Sequence, residues 1–309
     1  MKIVVTGASG YIGNILIKNL LEADFRVTAI DNFKYDNRNI YHLAKYENLN
    51  IVEGDVRDKS IIKNILSHDL IIPLAALVGA PLCEKFPNDA VTINQTSIET
   101  LANSKSSSQI IIYPTTNSGY GATDGKSMCD ENSPIKPISL YGITKTEAEK
   151  AVLDNQNTIS LRLATVFGIS PRMRLDLLVN NFVFKALNEG CLTLFESHFI
   201  RNYIHIEDVS RAFIHCIKNF SSMKNNIYNL GLSDANLSKK ELALKIKEKI
   251  PNLAIVEEEF TKDKDQRNYI VSNEKIEKTN YKPSYTLDAG INELIKGLKI
   301  FKSTTFGNI

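Results

Sequence analysis

The hydrophobic pattern of the chain changes period at residue 7. Lys2–Thr6 is a β-branched run, and Ile12, Ile15, Leu16 and Leu20 then recur at the spacing of one helix face. Continuous β-branched runs are typical of parallel strands buried on both faces, and helices connect such strands. The pattern therefore predicts a strand, a tight turn and a helix that packs against a sheet.

The same alternation continues to about residue 166. Further strands are predicted at Phe25–Ile30, Asn50–Gly54, Leu70–Ala76, Gln109–Tyr113 and Thr158–Val166, and helices at Ile61–Ser67, Pro87–Ser104 and Tyr141–Leu153. Leu70 to Cys83 is expected to be a strand that continues into a loop, because Pro73 and Pro81 interrupt it. Together these elements predict an α/β fold, a Rossmann-type doubly wound parallel sheet.

Beyond Phe167 the predicted elements are mixed. Helices are predicted at Leu175–Leu187, Ser210–Lys218, Ser238–Ile250 and Leu287–Ile300, and strands at Cys191–Phe195, Asn226–Gly231 and Leu253–Glu258. Ser238 and Glu241 have the spacing of a capping box. We expect a Rossmann domain over residues 1–168, to which the chain returns around 203–231, and a smaller α+β domain over 169–309. The cleft between two such domains is where ligands usually bind.

The composition is that of an ordinary globular protein. Of 309 residues, 43% are hydrophobic and 23% are charged, and the net charge of +2 gives no electrostatic case for binding nucleic acid or a membrane. The four cysteines, Cys83, Cys129, Cys191 and Cys216, lack the Cys-x-x-Cys spacing of a zinc site, so no metal is predicted. Reduced thiols and an N-terminal apolar run too short for a signal peptide lead us to expect a cytoplasmic protein.

A glycine-rich turn, Gly7-Ala-Ser-Gly10-Tyr-Ile-Gly13, lies between the first strand and the first helix. Glycines in that context let a pyrophosphate approach the backbone N–H groups at the start of the helix. The second strand ends at Asp31-Asn32, where a carboxylate accepts hydrogen bonds from ribose hydroxyls and repels a 2′-phosphate. We therefore predict NAD over NADP; alternatively, Asp31 is only a turn or cap residue.

Tyr141 and Lys145 lie four residues apart in a predicted helix, and so on one face of it. A phenol titrates near ~10. To act as a base at neutral pH, Tyr141 therefore needs its pKa to fall by roughly 3 units, which corresponds to about 4 kcal/mol. The Lys145 ammonium and an oxidised nicotinamide ring are expected to favour the phenolate. Thr116, at the end of the fifth strand, is expected to hold the hydroxyl that Tyr141 deprotonates. The alternative is a packing aromatic beside a solvated lysine.

Taken in order, these motifs resemble those of the extended short-chain dehydrogenase/reductase family, in its sugar-nucleotide epimerase and dehydratase branch. The resemblance covers Lys2 to about Tyr269. The motifs that carry it are Gly7-x-x-Gly10-x-x-Gly13, Asp31-Asn32, Gly54-Asp55-Val56, Leu74-Ala75-Ala76, Thr115-Thr116, Tyr120-Gly121, Tyr141-x-x-x-Lys145, Arg162-Leu163 and Arg201 to Val209.

The resemblance implies a role for each matching residue. Catalytic roles are implied for Thr116, Tyr141 and Lys145. Contacts to NAD are implied for Gly7, Ser9, Gly10, Tyr11, Ile12, Asp31, Asn32, Asp55, Val56, Leu74, Ala75, Ala76 and Asn94, as well as for Tyr141 and Lys145. Contacts to a nucleotide-diphosphate sugar are implied for Thr116, Asn117, Asn181, Arg172, Arg174, Arg201 and Arg267. For each of these arginines the alternative is a surface ion pair.

The implied activity is oxidation of a nucleotide-activated sugar, most readily at C4. The 4,6-dehydratases carry an Asp-Glu pair after the catalytic Thr, whereas Asn117-Ser118 follows Thr116 here, which argues against dehydration. The expected enzyme is a 4-epimerase or a 4-dehydrogenase, and Ala76–Pro81 and Pro171–Arg174 resemble enzymes that oxidise GDP-heptoses for bacterial capsules. A non-catalytic NAD-binding sensor or scaffold is the other class. A homodimer through the helices Pro87–Ser104 and Tyr141–Leu153 is also expected.

Overall fold

The computed structural model describes residues 1–35, 39–258 and 267–301. Its strands are β1 Lys2–Thr6, β2 Arg26–Asp31, β3 Leu49–Glu53, β4 Leu70–Pro73, β5 Ile110–Thr116, β6 Met128–Cys129, β7 Thr158–Leu163, β8 Thr165–Phe167, β9 Cys191–Phe195, β10 Ile200–His205, β11 Asn226–Leu230, β12 Asn236–Ser238, β13 Ala254–Glu258 and β14 Ile270–Val271. Its α-helices are α1 Tyr11–Glu22, α2 Lys59–Ile65, α3 Ala80–Lys85, α4 Pro87–Val91, α5 Ser97–Ser104, α6 Leu140–Leu153, α7 Leu178–Asn188, α8 Ile206–Lys218, α9 Phe220–Met223, α10 Lys239–Lys249, α11 Glu274–Glu277 and α12 Leu287–Leu298.

A seven-stranded sheet forms the centre of the fold. Its strand order is β11-β7-β5-β4-β1-β2-β3, and every pair is parallel. The chain runs from β1 outward to β3 on one side and from β4 outward on the other, so the direction reverses between β1 and β4. The predicted doubly wound α/β fold is confirmed. In such sheets ligands bind beyond the carboxyl ends of the strands, at the point of reversal.

Apolar side chains cover both faces of this sheet. On one face Leu16 and Leu20 of α1 belong to a cluster that continues through Phe213 into the C-terminal part of the chain. On the other face α2, α5 and α6 pack on the sheet, with Leu101 and Ala148 buried against it. The two layers fix the strand ends, and so the loops that follow them.

The C-terminal part contributes smaller sheets with the order β12-β10-β8, β13-β9 and β14-β6. Its helix α10 begins at the predicted capping box, in which the Ser238 hydroxyl accepts from the Glu241 N–H and the Glu241 carboxylate accepts from the Ser238 N–H. Strand β11 joins the large sheet beside β7, and Asn19 of α1 donates to Glu207 and Ser210 of α8. Residues 206–230 are therefore packed on the N-terminal sheet.

Some predicted elements were wrong in extent. The single strand predicted at Thr158–Val166 is two strands, because at Ala164 the chain leaves β7 and β8 then pairs with β10. The loop expected after Leu70–Ala76 contains α3, whose Pro81 lies in the first turn, where a helix accepts proline. The predicted helix Pro87–Ser104 is interrupted by a π-helical segment, Thr92–Thr96. Across the described part of the chain, no helix has the length and apolar character needed to cross a membrane.

Candidate active site

A cleft of about 990 Å³ lies at the carboxyl edge of the sheet, between that edge and the C-terminal part. Nearly all the residues predicted for cofactor, catalysis and substrate line it. They are Gly7, Ser9, Gly10, Tyr11, Ile12, Asp31, Asn32, Asp55, Val56, Leu74, Ala75, Ala76, Thr116, Tyr141, Lys145, Arg172, Arg174, Asn181, Arg201 and Arg267. Asn94 and Asn117 do not.

The glycine-rich turn forms one wall of the cleft. Gly7 has φ +65°, and a Cβ there would lie 2.6 Å from the backbone nitrogen of Ala75. At Gly13 a Cβ would lie 2.4 Å from the carbonyl oxygen of Gly7, so the turn packs tightly on the start of α1. Only glycine fits either position, and the backbone of the turn lines the cleft at a helix N-terminus. This cradle fits the pyrophosphate of a dinucleotide.

Asp31 ends β2 beside the glycine-rich turn. Its carboxylate accepts from the N–H of Ser9 at 2.9 Å and from the N–H of Phe33 at 2.8 Å. Burial raises the pKa of this carboxyl, and these backbone donors oppose that rise. A carboxylate held in this way lies at the cleft wall, where the predicted contact to ribose hydroxyls requires it.

Asp55 follows β3 and forms a two-pronged ion pair. The Nε and Nη2 atoms of Arg57 donate to its two oxygens at 2.9 and 2.8 Å. The Arg57 guanidinium holds the pKa of this carboxyl at about 2. Arg57 also donates to Asp89 at 2.8 Å, which ties the loop after β3 to α4. Asp55 therefore lines the cleft as a charged, oriented group.

The predicted catalytic residues converge on the middle of the cleft. Thr116 ends β5, and α6 begins at its cap residue Ser139, which places Tyr141 in the first turn. The Thr116 hydroxyl donates to Ser118 at 2.9 Å, and it lies close enough to the Tyr141 phenol to oppose the rise of its pKa. A tyrosine and a threonine hydroxyl side by side can act on one substrate hydroxyl, as removal of its proton requires.

The charge states of Tyr141 and Lys145 are governed by burial. Desolvation raises the pKa of Tyr141 to about 12, while the nearby guanidinium groups of Arg174 and Arg267 act to lower it. Desolvation likewise lowers the pKa of Lys145 to about 7. The predicted fall of the phenol pKa is thus not achieved by the protein's own groups, because removal from water disfavours the phenolate more than these cations favour it.

The two exceptions lie behind the cleft wall. Asn94, predicted to touch the cofactor, is fully buried in the π-helical segment; its amide accepts from the N–H of Leu77 at 2.8 Å and donates to the Leu77 carbonyl at 2.9 Å. It also donates to Thr144 of α6 at 3.4 Å. Asn117, predicted to touch substrate, is fully buried, and neither of its amide atoms has a partner among the described residues. A short polar side chain close to a ligand site can therefore be buried behind the residues that line the cleft.

Arginines line the C-terminal wall. Arg201 is 2% exposed and stacks on Tyr269 at 5.6 Å, and Arg267 donates to the Ser118 hydroxyl. Arg172 stacks on Tyr35 at 5.2 Å, and Arg174 forms a bidentate pair with Asp176 at 2.7 and 2.5 Å. The expected alternative of a surface ion pair does not describe Arg174, since this pair is inside the cleft. Planar donors of this kind suit phosphate oxygens.

Other residues that line the cleft were not predicted from the sequence. Lys239 is 4% exposed and donates to the Phe195 carbonyl at 2.8 Å, although its sequence setting, directly after a helix cap, is typical of a solvated lysine. Glu84 lines the cleft from α3, the helix that was expected to be a loop. The capping box was the available signal for Lys239, because it places the first residue of α10 beside β10.

This arrangement can be compared with known proteins. The family model described as "NAD dependent epimerase/dehydratase family" matches residues 3–231. The chain belongs to this family. A UDP-glucose 4-epimerase from Corynebacterium glutamicum is 28% identical over 259 residues, which cover 76% of each chain. The predicted resemblance to sugar-nucleotide epimerases and dehydratases is therefore confirmed, as are NAD as the family's cofactor and enzymatic function as its class.

Solved structures of family members share the fold over nearly the whole chain. A UDP-glucuronic acid 4-epimerase from Bacillus cereus, in complex with UDP-glucuronic acid and NAD, has a TM-score of 0.83 at 24% identity and covers 97% of this chain and 99% of its own. A dTDP-glucose 4,6-dehydratase from Bacillus anthracis, in complex with NAD, has a TM-score of 0.83 at 20% identity, with 99% and 98% covered. Epimerases and dehydratases of the family thus have one fold, and residues of the site must separate them.

Proposed function

We propose that the protein is an NAD-dependent 4-epimerase of a nucleotide-diphosphate sugar. The observation that carries this proposal is that Thr116, at the end of β5, and Tyr141 line one cleft, with Lys145 one turn further along α6. Support also comes from the relatives named UDP-glucose 4-epimerase and UDP-glucuronate 4-epimerase. A 4-dehydrogenase, which releases the ketone, is the second candidate because the same three residues perform its first step.

Tyr141 is proposed to remove the proton of the C4 hydroxyl. Thr116 shares a hydrogen bond with the reacting oxygen as its charge develops, which lowers the barrier because the donor is already oriented. When bound, NAD supplies the hydride acceptor and a positive charge beside the phenol. Lys145 lines the same part of the cleft and adds a second positive charge. With the pKa of Tyr141 at about 12 in the protein alone, both charges are needed for it to act near neutral pH.

Arg201, Arg267 and Asn181 are proposed to hold the diphosphate. Both guanidinium groups line the cleft, as does Asn181 of α7. Binding the diphosphate in this way would fix how far the attached sugar extends into the cleft. An epimerase needs the ring to present either face to one hydride acceptor, so a cleft of about 990 Å³ suits it.

Dehydration is not proposed, because the residues after Thr116 lack the required carboxylates. Asn117 carries no proton-transferring group, is fully buried and does not line the cleft, and Ser118 is hydrogen-bonded to Thr116 and Arg267. A non-catalytic NAD sensor or scaffold is disfavoured by the presence of Thr116, Tyr141 and Lys145 together in the cleft. A site freed from catalysis has no need to bury an ionisable phenol and amine together.

The test is incubation of purified protein with UDP-glucose, UDP-galactose, UDP-glucuronate and a GDP-heptose, with products resolved by NMR. Epimerisation predicts a C4 epimer without net NADH, whereas a 4-dehydrogenase accumulates NADH in proportion to ketone.

Tyr141→Phe should reduce kcat by about 10²–10⁴-fold, the usual contribution of a general base. Tyr228→Phe, a buried tyrosine of β11 away from the cleft, is the matched control. Full turnover by Tyr141→Phe contradicts the mechanism.

A further inference from the structure

The Lys145 ammonium has a partner that does not belong to the predicted catalytic set. Its Nζ lies over the ring of Tyr113, 4.2 Å from the ring centroid. Tyr113 is a β5 residue, three positions before Thr116, and is 0% exposed, while Lys145 is 4% exposed. The Tyr113 hydroxyl also donates to the backbone carbonyl of Lys145 at 3.5 Å. Tyr113 thus contacts Lys145 at both ends, the ammonium through its ring face and the backbone through its hydroxyl.

We propose that Tyr113 is a positioning residue that keeps Lys145 charged and aimed into the cleft; the proposal rests on the proposed function of Lys145. An aromatic ring presents a negative face, and an ammonium over that face is stabilised most when water is excluded. Tyr113 lies within a strand and packs in the same core as Leu101 and Val152, so its ring has no freedom to move away. The platform is therefore rigid.

Other ionisable groups near Lys145 act differently from this platform. The charge of Glu149, one turn further along α6, also favours the Lys145 ammonium, but Glu149 accepts from Arg162 at 2.8 and 3.0 Å and from Ser160 at 2.5 Å, so its charge is shared with that network. Cys83 faces the pair from α3, but burial raises the pKa of its thiol to about 11, which leaves it neutral. Tyr141 on the same helix is likewise neutral without a further positive charge.

The consequence for catalysis concerns the alkaline side of the pH profile. Burial brings the pKa of Lys145 to about 7, so a modest stabilisation of the ammonium decides how much of it is charged under working conditions. The ring favours the charged form and therefore raises this pKa. Removal of the ring should lower it, and the pH above which activity falls should move down with it.

The experiment compares Tyr113→Phe, which keeps the ring, with Tyr113→Leu, which removes it. Lys145 is titrated by NMR in protein with ¹⁵N-labelled lysine side chains, and its signal is assigned as the one absent from Lys145→Arg. In Tyr113→Leu we expect its pKa to fall by about 0.5–1 unit, the range set by a cation–π contact, and the alkaline limb of kcat to shift equally. In Tyr113→Phe neither should move. Ile111→Ala, in the same strand and core, controls for lost packing.

If Tyr113→Leu does not fold, fluorinated phenylalanines at position 113 weaken the ring's negative face without changing its shape, and the Lys145 pKa should fall with each added fluorine. An unchanged Lys145 titration in these variants overturns the proposal, as does an equal shift in Ile111→Ala. If the titration shifts as expected but no nucleotide sugar is turned over, the proposed function fails and the role of Tyr113 stands.

Discussion

At the scale of single residues, the site is built from groups whose pKa values burial has moved in opposite directions. The pKa of Tyr141 rises to about 12 and the pKa of Lys145 falls to about 7, so burial favours the neutral form of each side chain. Each must be charged to act in the proposed reaction. The protein therefore maintains two residues whose active forms cost stability, as is common where titratable groups are arranged for catalysis.

This cost predicts that Lys145→Met stabilises the protein while it removes activity. A lysine titrates near ~10.4 when unfolded, whereas Lys145 does so at about 7 when folded. Between these values the unfolded state binds more protons, so wild-type stability rises with pH across that window. The Tm of Lys145→Met should therefore exceed the Tm of wild type most at pH 6 and least at pH 10. In a chain of this size, each kcal/mol of difference in the free energy of unfolding corresponds to about 2–4 °C in Tm.

The measurement is thermal unfolding of both proteins at several pH values. Lys150→Met, an exposed lysine of the same helix, is the control and should show no such pH dependence. A constant difference in Tm from pH 6 to pH 10 would show that Lys145 is not buried as an amine.

At the scale of elements, strands and helices with strong periodicity were predictable, and short or context-dependent ones were not. The bounds of β1, β9 and α6 follow the predicted ranges within a residue, because each has a clear apolar pattern and a cap or glycine at its end. Strands of two or three residues, such as β6, β12 and β14, are too short to show a period. Likewise the spacing in the sequence indicated Tyr141 and Lys145, but not the ring of Tyr113 beneath them.

Asn94 supports the cleft through hydrogen bonds that the sequence does not predict. Its amide joins the π-helical segment to Leu77, which lines the cleft, and to Thr144 of α6, which lies between Tyr141 and Lys145. Asn94→Ala leaves the buried N–H of Leu77 unpaired, at about 1–3 kcal/mol, and leaves the Leu77 carbonyl with only the weaker thiol donor of Cys83, at 3.2 Å. We expect a lower Tm and a weaker affinity for NAD, measured by thermal unfolding and titration calorimetry.

Gln95→Ala is the matched control for this prediction, since Gln95 is in the same segment and its side chain donates to Glu99, one turn further along in α5. Equal losses in the two variants would show that the segment, and not its contact with Leu77, is what matters. An unchanged NAD affinity in Asn94→Ala would mean that the loop after β4 holds its shape without this amide.

At the scale of the whole molecule, the two walls of the cleft are joined at its base. The Tyr11 hydroxyl donates to the Gly168 carbonyl at 2.7 Å, and the Ser170 hydroxyl donates to the Tyr11 carbonyl at 2.8 Å. The core that contains α1 also continues into the C-terminal part. These links hold the glycine-rich turn and the loop before Arg172 in a fixed relation, so one ligand that spans the cleft meets both.

The outer face of α4 and α6 leads us to propose a homodimer. Val91 of α4 is 38% exposed, Ile143 of α6 is 42% exposed, and Ile138, just before α6, is 50% exposed. Single exposed apolar residues are ordinary, but these lie on neighbouring elements that contact one another. In a two-fold dimer one such face meets its own copy.

Light scattering after gel filtration should give the mass of two chains for wild type and of one chain for the double variant V91E/I143E. Leu244→Glu, an equally exposed apolar position on α10, should leave the mass unchanged. Because α6 carries Tyr141 and Lys145 on its opposite face, loss of the dimer is expected to lower the Tm more than it changes substrate affinity. A wild-type mass of one chain at micromolar concentration would contradict the proposal.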